Sequence, residues 1–158
     1  MYGALLGDMI GAPYEFDRGN KAKEFPLFCE YSHFTDDSVM TIAVAEALLD
    51  YQFWEDEDIK ARLIECMRKW GKKYPNAGYG RKFYHWLHAR HPEPYGSYGN
   101  GSAMRVSPCA WMMDCGFCAR TGMWPSNGRA GAKLSAEVTH NHPEGIKGAM
   151  ATADAIFM

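Results

Sequence analysis

The chain has 158 residues, of which 47% are hydrophobic and 23% are charged. This length is sufficient to bury a sizeable apolar core, so a single domain spanning residues 1–158 is the expectation. The formal net charge of −2 reflects 17 basic and 19 acidic residues without a basic block, which argues against a nucleic-acid partner. No apolar run reaches the roughly 18 residues of a membrane span, and no signal peptide is recognisable.

The cysteines indicate a reducing compartment. Their number, five, is odd, and only Cys115 and Cys118 form a CxxC pair, with no second pair to complete a zinc site. Cys66 and Cys109 lie in apolar patterns and are predicted to be buried thiols. A cytoplasmic protein without disulfides is therefore expected.

The chain begins with a predicted short helix over residues 1–11. Gly3, Gly7 and Gly11 follow an i, i+4, i+8 spacing, so they share one helix face. Glycine is costly in a helix interior, and three on one face predict the close approach of another backbone. Asp8 is the only charge in this segment, and its predicted role is a structural hydrogen bond to nearby backbone rather than catalysis.

A loop is predicted over residues 13–30, and it contains a carboxylate between two aromatic side chains. Glu15 follows Tyr14 and precedes Phe16. Two interpretations remain open here: a solvated loop residue, or a site residue with apolar walls.

Thr35, Asp36 and Asp37 stand just before a largely apolar run over residues 39–49. That run lacks Gly and Pro and is rich in Ala, Leu and Met, which predicts a buried helix. The polar trio admits two interpretations. It can cap the helix, because Thr and Asp accept hydrogen bonds from free N–H groups and negative charge suits the positive dipole end. It can also hold a hard cation such as Mg²⁺ or Mn²⁺, which prefers oxygen ligands.

Further helical patterns follow, and no strand alternation persists anywhere, so the predicted class is all-α. Predicted helices cover 57–70 with Asp56 as cap and Gly71 as stop, 79–90, a segment after Met104 that Pro108 kinks or restarts, 132–138, and a last helix from Pro143. The small residues of this last helix predict a close helix contact.

Two polar segments between these helices are candidate ligand-binding loops. Residues 97–105 form a Gly-rich loop leading into a helix, which either presents N–H groups to a phosphate or is simply a turn. His140 and His142 are spaced to ligate a metal, but a hydrogen-bonding role is the simpler interpretation. His142 before Pro143 fits a loop entering a helix with Pro at its first position.

Four segments in order resemble the ADP-ribosylglycohydrolase family, which includes the dinitrogen-reductase-activating glycohydrolase. They are Gly3-Ala4-Leu5-Leu6-Gly7-Asp8 with Tyr14-Glu15-Phe16; Thr35-Asp36-Asp37-Ser38; Gly99-Asn100-Gly101-Ser102-Ala103-Met104-Arg105; and Thr139-His140-Asn141-His142-Pro143-Glu144-Gly145. The resemblance runs from Tyr2 to the end, and the ordered set is more specific than any one motif.

The resemblance implies an all-α orthogonal multi-helix bundle with two Mg²⁺ or Mn²⁺ ions. It implies hydrolysis of the glycosidic bond that joins ADP-ribose to a protein side chain, or cleavage of related ADP-ribose compounds. The implied metal ligands are Thr35, Asp36 and Asp37, and the implied catalytic residues are Glu15 and Asp36. The implied ADP-ribose-binding residues are Asn100, Gly101, Ser102, Ala103, Met104, His140, Asn141 and His142.

One departure from the family pattern bears on activity. Members of the family carry a second Asp-rich motif near their C-terminus that completes the metal centre, and no such motif follows Ala149 here. The chain is therefore expected to be the N-terminal portion of a longer protein, inactive by itself or complemented by a second chain. The alternative is a non-catalytic ADP-ribose-binding or structural fragment.

Overall fold

The computed structural model describes residues 1–16, 22–49, 55–111 and 128–158, and these residues form seven α-helices and no strand. The all-α prediction is confirmed. The helices are α1 (Tyr2–Gly11), α2 (Asp36–Leu49), α3 (Asp56–Lys73), α4 (Arg81–His88), α5 (Ser107–Trp111), α6 (Gly128–Glu137) and α7 (Pro143–Phe157), with 3₁₀ turns at Ala12–Tyr14 and Asn100–Ser102. Within the described ranges, the helices are all too short or too polar to span a bilayer.

Helix α2 is the centre of the core. Its apolar side chains are almost completely shielded from solvent, namely those of Val39, Met40, Ala43, Val44, Ala47 and Leu48. A helix that is apolar around most of its circumference has to be covered on several sides. Helices α1, α3 and α5 provide contacts to α2, and α7 in turn packs against α5 and α6. Asp36 and Asp37 thus begin the element that the other helices hold in place.

Helix α3 differs from its predicted bounds at both ends. Its N-cap is Glu55, which forms a capping box with Asp58, rather than Asp56. The helix also continues past Gly71 to Lys73, so the predicted stop at Gly71 is wrong. A Cβ built on Gly71 would lie 2.6 Å from Cδ2 of Leu87, so this glycine lets α4 approach α3 closely.

The remaining helices agree with the predictions in kind and differ in length. The helix predicted over 79–90 is shorter, Arg81–His88, and Arg68 donates hydrogen bonds to the carbonyls of Leu87 and Ala89 near its C-terminal end. Pro108 lies in the first turn of α5, so it restarts a helix there. Helix α6 begins at Gly128, ahead of the predicted 132.

The close backbone contact predicted for the glycine face of α1 does not form among the described residues. A Cβ built on Gly3, Gly7 or Gly11 would have no such neighbour within 4 Å. None of the residues of α1 is fully buried, and Tyr2 and Leu6 are exposed. Helix α1 is instead attached to α2 through the polar side chain of Asp8, as described below.

The thiols of Cys66 and Cys109 are buried, at 0% and 2% exposure, as predicted. Cys115 and Cys118, the CxxC pair, lie outside the described residues.

The start of α7 packs closely against the Gly-rich loop, whereas its small residues predicted a close contact with another helix. His142 is the N-cap and Pro143 the first residue of this helix, as expected. A Cβ built on Gly145 would lie 2.6 Å from the backbone oxygen of Ser97, and the Ser102 hydroxyl donates a hydrogen bond to the Gly145 carbonyl at 2.8 Å. The loop is therefore positioned by the first turn of α7.

Two glycines of α7 give a matched test of this contact. Gly145→Ala should destabilise the fold by about 1–3 kcal/mol, because the added methyl group meets rigid backbone. Gly148→Ala should stabilise it by about 0.5–1 kcal/mol, because alanine has the higher helix propensity and a Cβ there meets nothing within 4 Å. Thermal or urea denaturation of both variants measures the difference, and equal effects would contradict the close contact.

Candidate active site

The carboxylate of Asp8 joins α1 to the start of α2. It accepts hydrogen bonds from the backbone N–H groups of Thr35 and Ser38, at 2.8 and 3.1 Å, and from both of their hydroxyls, at 2.6 and 2.5 Å. Thr35 and Ser38 are nearly inaccessible to solvent. The structural role predicted for Asp8 is confirmed, and this residue fixes the conformation of the segment that carries Asp36 and Asp37.

This arrangement separates helix capping from the acidic pair. Asp8 accepts from the N–H groups of Thr35 and Ser38, and the Thr35 hydroxyl accepts from the N–H of Asp37 at 3.3 Å. These contacts satisfy much of the free backbone at the start of α2. The carboxylates of Asp36 and Asp37 add only hydrogen bonds with their own backbone N–H groups. In the part of the chain that the structure describes, neither of them forms an ion pair with a Lys, Arg or His side chain.

The electrostatic environment of the acidic pair disfavours its two negative charges. Burial and the negative charges of Asp37, Glu15 and Asp8 raise the pKa of Asp36 to about 6, against a partly opposing hydrogen bond to its own backbone. Burial, Asp8 and Glu15 also raise the pKa of Asp37, while a hydrogen bond with Thr35 opposes the shift. Uncompensated carboxylates in such a position form a site that a cation would stabilise.

Two clefts meet at the start of α2. The first cleft, of ≈ 500 Å³, is lined on its polar side by Asp8, Glu15, Thr35, Asp37 and Asn100. Ala4, Gly7 and Gly11 of α1 form part of its apolar wall, together with Thr152 and Ile156 of α7. Glu15 is exposed, on the loop that follows α1. The structure therefore brings Glu15, Thr35 and Asp37 into one cavity.

The second cleft, of ≈ 330 Å³, lies on the side of Asp36. Its lining includes Asp36, Arg81, Lys82, Tyr95, Arg105 and His140. Asn100 and Met104 line both clefts, Ala103 lines the first and Gly101 the second. The Gly-rich loop and the two aspartates are thus adjacent, although they are more than 60 residues apart in sequence.

Hydrogen bonds to α2 and α7 hold the Gly-rich loop in place. The Thr41 hydroxyl of α2 donates to the Met104 carbonyl at 3.3 Å. Ser102, 1% exposed, lines neither cleft and is hydrogen-bonded to Gly145 instead. Ser102 thus orients the loop, while Asn100, Gly101, Ala103 and Met104 face the cavities.

The three polar residues before α7 have different environments. His140 lines the second cleft, and its Nδ1 lies 2.7 Å from the Thr139 hydroxyl. Burial and the nearby charge of Arg105 lower the pKa of His140 to about 4, so its ring is neutral at pH 7. Asn141 accepts a hydrogen bond from the N–H of Gly96, and His142 accepts one from the N–H of Glu144. Neither Asn141 nor His142 is among the lining residues of these two clefts.

Arg105 is a feature that the sequence patterns did not single out. Its side chain is completely buried, and it donates hydrogen bonds to the carbonyl of Ser135 and the hydroxyl of Thr139, both neutral groups. Burial lowers the pKa of Arg105 to about 10, so the guanidinium remains charged at pH 7. No carboxylate of the described chain pairs with it. The only signal in the sequence was a single arginine between the apolar residues Met104 and Val106, just before α5.

The chain matches a known protein family along its whole length. A family model described as ADP-ribosylglycohydrolase matches residues 1–158. The chain belongs to the ADP-ribosylglycohydrolase family.

Curated relatives of the chain include the ADP-ribosylhydrolases ARH3 of Gallus gallus and Mus musculus, each 29% identical, and that of Homo sapiens, 27% identical. Each alignment covers 99% of this chain and 46–48% of the relative. The chain therefore spans about half the length of the curated relatives it matches. Among the described residues, no group of three or more His, Cys, Asp or Glu side chains is arranged to hold a metal ion.

The Asp8→Asn variant tests whether the hydrogen bonds of Asp8 hold α1 against Thr35 and Ser38 at the start of α2. The amide keeps the shape but places an NH₂ group against hydrogen-bond donors of Thr35 or Ser38, so the free energy of unfolding should fall by about 2–3 kcal/mol. Urea denaturation measures the change. Asp154→Asn is the control, because its ion pair with Arg129 is at the surface and should contribute less than about 1 kcal/mol. A loss at Asp8 no larger than at Asp154 would contradict the anchoring role.

The Asp36→Asn variant tests whether the negative charge of Asp36 destabilises the folded chain. Because the folded-state pKa of Asp36 is raised to about 6 from 3.8, ionisation of this group costs stability as pH rises between these values. With EDTA present, Asp36→Asn and the parent chain should have similar stability near pH 4. The variant should be more stable by about 1 kcal/mol at pH 7, a value discounted for solvent screening. The lowered pKa of His140 makes stability change with pH in the opposite direction. Both chains contain His140, so its contribution cancels when their free energies of unfolding are subtracted.

Proposed function

We propose that this chain carries one half of the active site of a metal-dependent hydrolase. The reaction is cleavage of the glycosidic bond that joins ADP-ribose to a protein side chain, or of a related ADP-ribose compound. The observation that carries the proposal is the acidic pair at the start of α2. Asp8 and Thr35 satisfy much of the helix start, which leaves Asp36 and Asp37 without a counter-charge between two clefts. Family membership and the names of the ARH3 relatives support the same chemistry.

Thr35, Asp36 and Asp37 are the proposed metal ligands. The Thr35 hydroxyl donates to Asp8 and accepts from the N–H of Asp37, so one of its two lone pairs remains for a cation. The two carboxylates supply anionic oxygens, the ligands that Mg²⁺ and Mn²⁺ prefer. Three ligands do not complete an octahedral shell, so water, substrate or acids supplied from elsewhere must occupy the other positions of one or two ions. A bound ion would neutralise charge and acidify a water molecule.

The other side chains have proposed roles in positioning and proton transfer. Glu15 lies in the same cleft as Asp37 and acts as the general base or orients the attacking water. Asp36 is the second proposed catalytic residue. The anomeric carbon of the ribose develops positive charge as the glycosidic bond breaks, as in other glycoside cleavages, and nearby carboxylates stabilise it.

Asn100, Gly101, Ala103, Met104 and His140 are proposed to contact ADP-ribose directly, because they line the clefts. Ser102, Asn141 and His142 are proposed to contribute through the loop positions that they hold. Their hydrogen bonds go to Gly145, Gly96 and Glu144 respectively. A cytoplasmic location belongs to the same proposal, and the free thiols of Cys29, Cys66 and Cys109 support it.

The second candidate function is a non-catalytic ADP-ribose-binding or structural protein. The absence of a metal-binding group of three or more His, Cys, Asp or Glu residues in the described ranges favours it. A third arrangement lies between the two, in which a second chain supplies the remaining acids.

Isothermal titration calorimetry with ADP-ribose distinguishes these functions. The enzyme proposal predicts binding that requires Mg²⁺ or Mn²⁺, is lost with EDTA, and is weakened at least tenfold by Asp36→Ala. Asp154→Ala should bind like the parent chain, since Asp154 lies outside both clefts.

Release of ADP-ribose from an ADP-ribosylated protein is then measured for the chain alone and after addition of the remaining half of an ARH3 relative. Metal-dependent release in either case supports the enzyme. Binding that is unaffected by EDTA and by Asp36→Ala would refute the metal site.

A further inference from the structure

The second cleft carries an excess of positive charge. Arg81, Lys82 and Arg105 line it, and Asp36 is its one acidic lining residue. His140 is neutral at pH 7 because its pKa is low. The described chain places three permanent cations around a volume of ≈ 330 Å³, although the chain as a whole is slightly acidic.

Arg81 and Lys82 occupy an electrostatically unfavourable position within the chain itself. They are the first two residues of α4, whose N-cap, Gly80, provides no side-chain hydrogen bond and whose first turn contains no acid. The N-terminal end of a helix carries partial positive charge and free N–H groups, so it favours anions and disfavours cations. Two cations at this end have a physical rationale if an anion binds beside them.

Carboxylates of the chain do not supply that anion. Residues 66–92 contain no Asp or Glu, and neither Arg81 nor Lys82 forms an ion pair within the described ranges. Elsewhere, Lys60, Lys69, Arg129, Lys133 and Lys147 pair with nearby acids, whereas the exposed Lys72 and Arg90 also have no ion pair within the described ranges. The cations at the cleft are therefore left free for a ligand.

Arg105 is the independent second observation. It is 0% exposed, lines the same cleft, and donates hydrogen bonds to Ser135 and Thr139, which are neutral residues. A buried charge without an opposite charge is costly, and an anion in the cleft would offset that cost.

We propose that Arg81 and Lys82 form a cationic wall that binds the diphosphate of an ADP-ribose-type ligand, in the cleft that Asn100, Gly101 and Arg105 also line. This assignment rests on the proposed function and names the residues of this chain that select a diphosphate-bearing ligand. Guanidinium groups bind phosphate oxygens in bidentate fashion, and Lys adds a point charge. The wall shares its cleft with Asp36, whereas Asp37 lines the first cleft, so the diphosphate would lie beside the acidic pair.

The test compares an Arg81→Gln/Lys82→Gln double variant with a Lys72→Gln/Arg90→Gln control. Glutamine preserves helix propensity, and Lys72 and Arg90 are exposed cations outside both clefts. Calorimetric titrations use ADP-ribose with Mg²⁺ and, separately, inorganic pyrophosphate without metal, each at low and at physiological salt. The double variant should bind both probes roughly tenfold more weakly at low salt, a change of about 1.4 kcal/mol. Its binding should also depend less on salt.

A merely structural role predicts a different result. Because the substitutions remove cations from the positive end of α4, the melting temperature of the unliganded double variant should stay the same or rise. A lower melting temperature together with weaker binding would assign Arg81 and Lys82 to the fold and overturn the proposal.

The outcomes separate this assignment from the proposed function. If the parent binds ADP-ribose and the double variant binds it equally well, the cationic wall is refuted and the function stands. If the parent binds pyrophosphate through Arg81 and Lys82 but does not bind ADP-ribose, the wall stands and the function fails. If the parent binds neither probe, or if the control variant loses as much affinity, the wall is refuted.

Discussion

The site depends on one carboxylate that bridges two helices. Asp8 on α1 accepts hydrogen bonds from backbone and hydroxyl groups of Thr35 and Ser38, and thereby caps α2 from outside its own segment. A charged acceptor that satisfies several donors in a partly buried position holds them in one geometry. Since α1 has no fully buried residue, this polar contact rather than apolar packing sets where α1 lies against α2. The first cleft is the space that results between α1, α2 and the Gly-rich loop.

The external cap has an electrostatic consequence. Asp36 and Asp37 stay at the favourable end of the α2 dipole, yet burial and the negative charges of neighbouring carboxylates raise their pKa values, so the dipole does not fully compensate their charge. The opposite imbalance occurs at the second cleft, where cations stand at the start of α4 and a buried arginine has no acidic partner. Adjacent sites with uncompensated negative and positive charge suit a ligand complex that contains a metal ion and a diphosphate. The separation of charge also orients such a ligand, because reversing it would place like charges together.

The loop that contains Asn100 and Met104 connects these two regions. It lines both clefts, and its position is fixed by Thr41 of α2 and by Gly145 at the start of α7. A loop supported by two helices keeps its geometry without a bound ligand, which would lower the ordering cost of the proposed ADP-ribose binding. Relatives of the ADP-ribosylglycohydrolase family that match this chain are about twice its length.

The sequence by itself determined the helical class, most helix positions, the buried thiols of Cys66 and Cys109, the structural role of Asp8, and the family, because these depend on local periodicity, capping chemistry and ordered motifs. Packing decided that α3 continues past Gly71. The missing side chain of Gly71 leaves room for Leu87, and no local pattern in the sequence predicts that contact. The tertiary structure alone decided that Asp36 and Asp37 line different clefts. It also decided that Ser102, Asn141 and His142 line neither cleft and instead form hydrogen bonds with Gly145, Gly96 and Glu144 respectively. It also decided that Arg81, Lys82 and Arg105 share a cavity with Asp36. Charges from distant segments become neighbours only when the chain folds, and their interaction energies depend on separation and burial, which residue order does not encode.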